Sequence, residues 1–166
     1  TPPHGKIADD ALQSAVRLAL LEEDTPRAME MMRGYQFDET FRNEILSGVM
    51  GLADDVKFVR FLIEEMETEV TATRYIFLLN AACRKNLQQT AVYLVEKARA
   101  ENVSAEDCYR RIFSNFPPKE AAEIAVTLAE KTPDRDAALT EMLLEASLAK
   151  SYETLGALID AGAKPA

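Results

Sequence analysis

The sequence predicts an all-α chain, an α-solenoid of about five stacked helix-turn-helix repeats with a period of roughly thirty-two positions, and three observations predict it. A short apolar pair followed by a charged residue returns along the whole chain. Apolar residues between these returns recur at three- and four-residue steps, the mark of one buried helical face. No run of period-two alternation marks a strand.

The returning pair is Met31-Met32-Arg33, Leu62-Ile63-Glu64, Leu94-Val95-Glu96, Leu128-Ala129-Glu130 and Leu158-Ile159-Asp160. From Met31 to Leu62, Leu94, Leu128 and Leu158 the successive steps are 31, 32, 34 and 30. Twelve residues before each anchor stands Ala19, Met50, Ala82, Phe116 or Ala146, and fifteen before it Val16, Ser47, Leu79, Phe113 or Leu143. Three before it stands Ala28, Val59, Ala91, Ala125 or Leu155. Only Ser47 breaks the apolar register. One such pair of short helices cannot bury its stripe alone, so successive pairs are expected to stack into a continuous core.

The first helix of each unit is expected near 9–22, 41–52, 72–85, 105–115 and 136–149, and the second near 26–34, 55–67, 88–101, 118–131 and 152–161. Thr25-Pro26, Ser104-Ala105-Glu106-Asp107 and Pro117-Pro118-Lys119-Glu120 supply caps, first-turn prolines and acids where helices open. Gly34 and Gly162 stand where second helices should stop. The expected organisation is a flexible leader over 1–8, then one domain over 9–166 with repeats near 9–38, 39–70, 71–103, 104–135 and 136–166. The Thr1–Gly5 start, with no initiating Met, reads as that of a trimmed chain or a fragment of something longer.

The last unit, Leu143-Leu144-Glu145-Ala146-Ser147 followed by Leu155-Gly156-Ala157-Leu158-Ile159-Asp160-Ala161-Gly162-Ala163, resembles an ankyrin repeat. Period and core spacing are similar to that family along the chain. The Thr-Pro-Leu-His opening is missing, and the glycine expected between paired helices is replaced by Glu23, Asp54, Asn86, Glu120 and Lys150. Tetratricopeptide repeats are the nearest rival, but their Trp-Leu-Gly-Tyr signature is missing too. The ankyrin resemblance implies a protein-recognition module without catalytic residues, binding through its inner helices and inter-repeat loops.

Charge narrows the partner. The net charge is −9, and residues 1–70 hold 15 acidic against 7 basic side chains. An acidic chain repels a phosphate backbone, so nucleic acid is disfavoured and a protein with a basic surface facing residues 1–70 is favoured. No apolar stretch is long enough to span a membrane. Cys83 and Cys108 lack metal-ligand spacing and read as reduced thiols of an intracellular, cytoplasmic protein, with a disulfide between neighbouring repeats the other reading.

The search for reactive chemistry yields no catalytic, metal or cofactor residue. His4, the sole histidine, reads as a tail residue, so no nucleophile–histidine pair can be drawn. Gly5-Lys6 lacks a phosphate-binding loop, and Glu64-Glu65-Met66-Glu67-Thr68-Glu69 lacks calcium-loop spacing. One pattern points to recognition. Tyr75 and Tyr109 stand at the same offset before their anchors, Leu94 and Leu128, and Arg42, Arg74, Arg110 and Arg111 lie at or beside that position. Tyrosine and arginine are favoured at binding hot spots, so these six are the expected partner-binding rim of the concave face. The runner-up function is a small helical enzyme using carboxylates or a metal; a structural or oligomerising role is the third. The opening and closing helices are apolar over more of their circumference than one stripe needs, which favours a missing neighbouring domain, a second copy or another partner covering them.

Overall fold

The computed structural model describes residues 5–163, which are mostly helical. The chain divides into two compact units, one ending at Thr71 and the other starting at Ala72. His4 lies outside the described residues.

The first unit runs β1 (Lys6–Ile7), α1 (Asp10–Leu21), α2 (Thr25–Met32), β2 (Tyr35–Gln36), α3 (Glu39–Val49) and α4 (Val56–Arg60), which continues as a π-helical turn, Phe61–Glu65. α1 packs on α2 and α3, and α4 packs on α2 and α3. The strand pair corrects two expectations. Lys6 and Ile7 pair in parallel with Tyr35 and Gln36, so this part of the expected leader is tied down and a small sheet exists. Gly34, at φ +83°, turns the chain out of α2 into β2 and accepts a hydrogen bond from Lys6 N at 3.3 Å. Two residues per strand are too few for alternation to register in the sequence.

The second unit runs α5 (Ala72–Arg84), α6 (Gln88–Ala100), a π-helical turn (Glu106–Arg110) continuing into α7 (Arg111–Asn115), α8 (Pro118–Lys131), α9 (Arg135–Leu148) and α10 (Tyr152–Asp160). Here α5 packs on α6 and α7, α6 on α8, α8 on α9 and closely along α10, and the π turn on α9. First helices thus neighbour first helices, and second helices neighbour second helices. The π turn is wider than an α turn, and it falls within the longest step between anchors, from Leu94 to Leu128.

Local chemistry explains the helix ends. Aspartates cap five N-termini: the carboxylates of Asp9, Asp24, Asp38, Asp55 and Asp134 accept from the backbone N–H three residues on. Ser104 Oγ accepts from Asp107 N at 3.0 Å, the capping role expected of it. The turn between paired helices repeats as well. Glu23, Asn86 and Lys150 adopt φ of +57°, +56° and +57°. The following residue's N–H donates back to Ala19, Ala82 and Ala146 respectively, at 2.9 Å each time. These alanines share the register position twelve before the anchors, so three hairpins close with one Schellman geometry without glycine.

Most register positions are buried, among them Leu62, Leu94, Leu128 and Leu158. Met31, Ser47, Leu143 and Leu155 are half-buried, and Ile159 is exposed. No described helix is long and apolar enough to cross a membrane.

Candidate functional site

The six expected rim residues separate into a buried set and a surface set. Tyr75 and Tyr109 are only 4% and 3% exposed, so both are core residues rather than a contact edge. Burial raises both phenols above their usual range. In the first unit Arg42 is a clamp. It donates through Nη1 to the carbonyls of Met66, at 2.6 Å, and Glu67, at 3.3 Å, and through Nη2 to Glu39 at 2.7 Å. Glu67 sits at φ +53°, so the clamp fixes the chain where the π turn ends. With 13% of its side chain exposed, Arg42 offers little to a partner.

In the second unit Arg110 and Arg111 sit where the π turn passes into α7, and successive helical residues point in different directions. Arg110 reaches α9: Nε donates to Glu145 Oε2 at 2.8 Å, and Nη1 to Glu106 at 2.9 Å. Arg111 reaches α5: Nη1 donates to Asn80 Oδ1 at 2.8 Å, and Nη2 lies 3.8 Å from Asp107. The Arg74 guanidinium lies 5.2 Å from the centroid of Phe77, itself 50% exposed. Arg74, Phe77, Asn80, Arg111, Arg110 and Glu145 thus form a row of side chains crossing α5, α7 and α9. A shallow groove of about 250 Å³ beside it is lined by Glu106, Asp107, Arg110, Arg111, Ser114 and Asn115. Arg110 and Arg111 each bridge two helices, so this part of the row is pre-positioned rather than free to rotate.

A second concavity, about 480 Å³, lies between α6, the end of α8 and α9. Arg99 occupies it, 5.7 Å from the Tyr109 ring centroid, and donates to Val103 O at 2.8 Å and Glu141 Oε2 at 2.6 Å. Lys131 lies 3.5 Å from Glu96 across the mouth. The cleft's charges therefore answer one another. Among the described residues no three acidic, Cys or His side chains gather into a group able to hold a metal ion. Cys83 and Cys108 are buried free thiols, and burial pushes them up to about 12 and about 11.

Phe77, Asn80, Arg99, Glu141 and Glu145 escape a reading of the sequence by residue type. For Asn80 a signal exists: some cross-helix partners sit 30 to 32 residues apart, although Arg99 and Glu141, at 42, and Arg110 and Glu145, at 35, do not. Asn80 pairs with Arg111, Thr25 with Asp55, and Arg33 with Glu65, at offsets of 31, 30 and 32. Scanning for complementary polar residues at that offset finds these pairs. Comparison with protein-family models, curated proteins and solved structures gives no match.

Proposed function

We propose that this chain is a helical-repeat module, ankyrin-like in its pairing of helices, that binds a partner protein. The observation that carries the reading is the row from Arg74 and Phe77 to Arg110 and Glu145, bridged across three neighbouring helices and carrying a half-exposed aromatic ring. Rigid arginine and aromatic groups lose little freedom on contact, which makes such a row an economical recognition surface. The recurring left-handed turn at Glu23, Asn86 and Lys150 supports the repeat reading. Acidic excess in the first unit supports a basic partner less than the raw charge suggests. Asp9, Asp24, Asp38 and Asp55 are helix caps there, and Glu22, Glu39, Glu44, Glu64 and Glu65 face arginines.

The test is affinity capture on the purified chain beside a Phe77→Ala/Ser114→Glu variant, with retained proteins identified by mass spectrometry. Both positions are exposed, so melting should be unchanged. A protein retained by the wild type and lost from the variant supports the reading. Identical retention by both, or none above a blank matrix, rejects it.

A further inference from the structure

The turns that join paired helices in the second unit carry unopposed positive charge. Arg84 ends α5 and Lys85 follows it, Lys119 stands in the first turn of α8, and Lys150 lies between α9 and α10; all four are exposed. Among the described residues none of the four has a carboxylate within ion-pair distance. By contrast, Arg99, Arg110, Arg111 and Lys131 face carboxylates, and Arg135 holds the Ala161 carbonyl.

Packing brings these turns to one edge. Arg111, four residues before the end of α7, donates to Asn80, four residues before the end of α5. Arg110, five before the end of α7, pairs with Glu145, three before the end of α9. The last turns of α5, α7 and α9 therefore lie side by side, and each leads at once into its second helix. Within residues 84–89, 115–120 and 148–153 the only carboxylates are Glu120, half-buried, and Glu153. Glu101, Glu106, Asp107, Asp134 and Asp136 lie at the opposite helix ends, so a unit whose charges nearly cancel has one basic edge. Helix-end electrostatics accounts for Arg84 and Lys85, which stand where α5 ends and positive charge is favoured. It fails at Lys119, the second residue of α8, where a cation opposes the exposed N–H groups of the first turn.

A ligand with spaced negative charges fits this edge. Packed helices stand about 8–10 Å apart, and an extended chain advances about 3.3 Å per residue, so such a chain meets a new turn roughly every third residue. A nucleic-acid strand would carry its phosphates past the edge and over a chain of net charge −9, whereas a short acidic segment need touch only the turns. We propose that the edge formed by the α5–α6, α7–α8 and α9–α10 turns binds an extended acidic segment of a protein partner, with Asp or Glu at about every third position. The inference extends the partner-binding reading above to a second surface, and it stands or falls without the exposed ring of the Arg74–Glu145 row.

The experiment titrates the whole chain into a labelled peptide that carries glutamate at every third position among glycine and serine, read by fluorescence anisotropy at low and at higher salt. Comparison ligands are a peptide of the same composition with its glutamates in one block, a lysine-for-glutamate peptide, and a single-stranded oligonucleotide. The expected result is saturable, salt-sensitive binding that is tightest for the spaced acidic peptide. An Arg84→Gln/Lys85→Gln/Lys119→Gln/Lys150→Gln variant should weaken it about tenfold or more, the sum of several modest exposed ion pairs. Lys119→Gln alone should weaken it while melting no lower than the wild type, a combination that a helix-stabilising role would not give. Phe77→Ala should leave it unchanged, which separates this edge from the row. Equal binding by wild type and the fourfold variant overturns the proposal. Equal binding of the spaced and block peptides overturns it as well, because the turns would then not be read in register. Tighter binding of the oligonucleotide than of either acidic peptide overturns it too, with nucleic acid as the occupant.

Discussion

Replacing Lys150 with glycine should stabilise the second unit, although glycine usually weakens helical proteins. Lys150 ends α9 at φ +57°, a conformation in which an L side chain crowds the following carbonyl. That crowding costs about 1–2 kcal/mol, while the extra freedom of glycine in the unfolded chain costs about 0.5–1 kcal/mol. The difference leaves Lys150→Gly more stable by about 0.5–1 kcal/mol, a rise of roughly 2–8 °C in Tm for a unit of this size. The hydrogen bonds of the turn, Lys150 N to Ser147 O and Ser151 N to Ala146 O, use backbone only and survive the change. Lys150→Val should move the other way by about 1 kcal/mol or more, because β-branching worsens the same clash. Glu23→Gly, at φ +57°, should gain like Lys150→Gly, whereas Asn86→Gly should gain little, since asparagine tolerates this region. Urea unfolding followed by circular dichroism, with amide exchange assigning transitions to each unit, measures all four. If Lys150→Gly is destabilised as much as Lys150→Val, the left-handed turn at this position is wrong.

Three further outcomes follow from the packing. Arg42→Ala should cost the first unit about 1.5–3 kcal/mol, the worth of charge-assisted hydrogen bonds to the Met66 and Glu67 carbonyls, and should speed amide exchange at residues 66–69; no change would return Arg42 to the surface set. Leu94→Ala, at a fully buried anchor, should cost about 2–5 kcal/mol in urea unfolding, and a loss well under about 1 kcal/mol would place Leu94 outside the core. Cys83 and Cys108 should resist iodoacetamide in the native chain and react on unfolding; because burial raises both thiols, the stability they contribute is complete below the ordinary thiol range and is lost as pH climbs towards about 11 and about 12, and native alkylation at a free-thiol rate would contradict the burial.

The helices were legible because a packed stripe forces a 3.6-residue period that polar residues cannot counterfeit. The helical segments lie within a few residues of where the apolar spacing puts them, including α9, whose apolar circumference is unusually wide. The strand pair was not legible, since two residues carry no period, and its determinant is the backbone turn at Gly34. Residue chemistry misled at Tyr75 and Tyr109. Tyrosine is common both at binding edges and half inside cores, so residue type alone left the choice open, and burial decides it.

The arginines show a different limit. Arg42, Arg110 and Arg111 occupy nearly the same repeat position, yet one clamps backbone carbonyls and two bridge helices. The difference comes from the acceptors that stand opposite each one. Opposite Arg42, just past the π turn that ends at Glu65, stand the Met66 and Glu67 carbonyls, whereas Arg111 finds Asn80 on α5 and Arg110 finds Glu145 on α9. A guanidinium is a fixed fork that takes whichever acceptors stand opposite, so its role is set by the neighbouring element and not by its own position. Reading such a helical chain for function therefore means reading each polar residue together with the one that stands opposite it. Leu144 is then the informative outlier, because it stands before Leu158 at the offset that Arg17 and Asn80 keep before Met31 and Leu94. Arg17 and Asn80 pair with Glu44 and Arg111 on the next first helix. Leu144 is apolar and exposed instead, and no first helix follows it among the described residues.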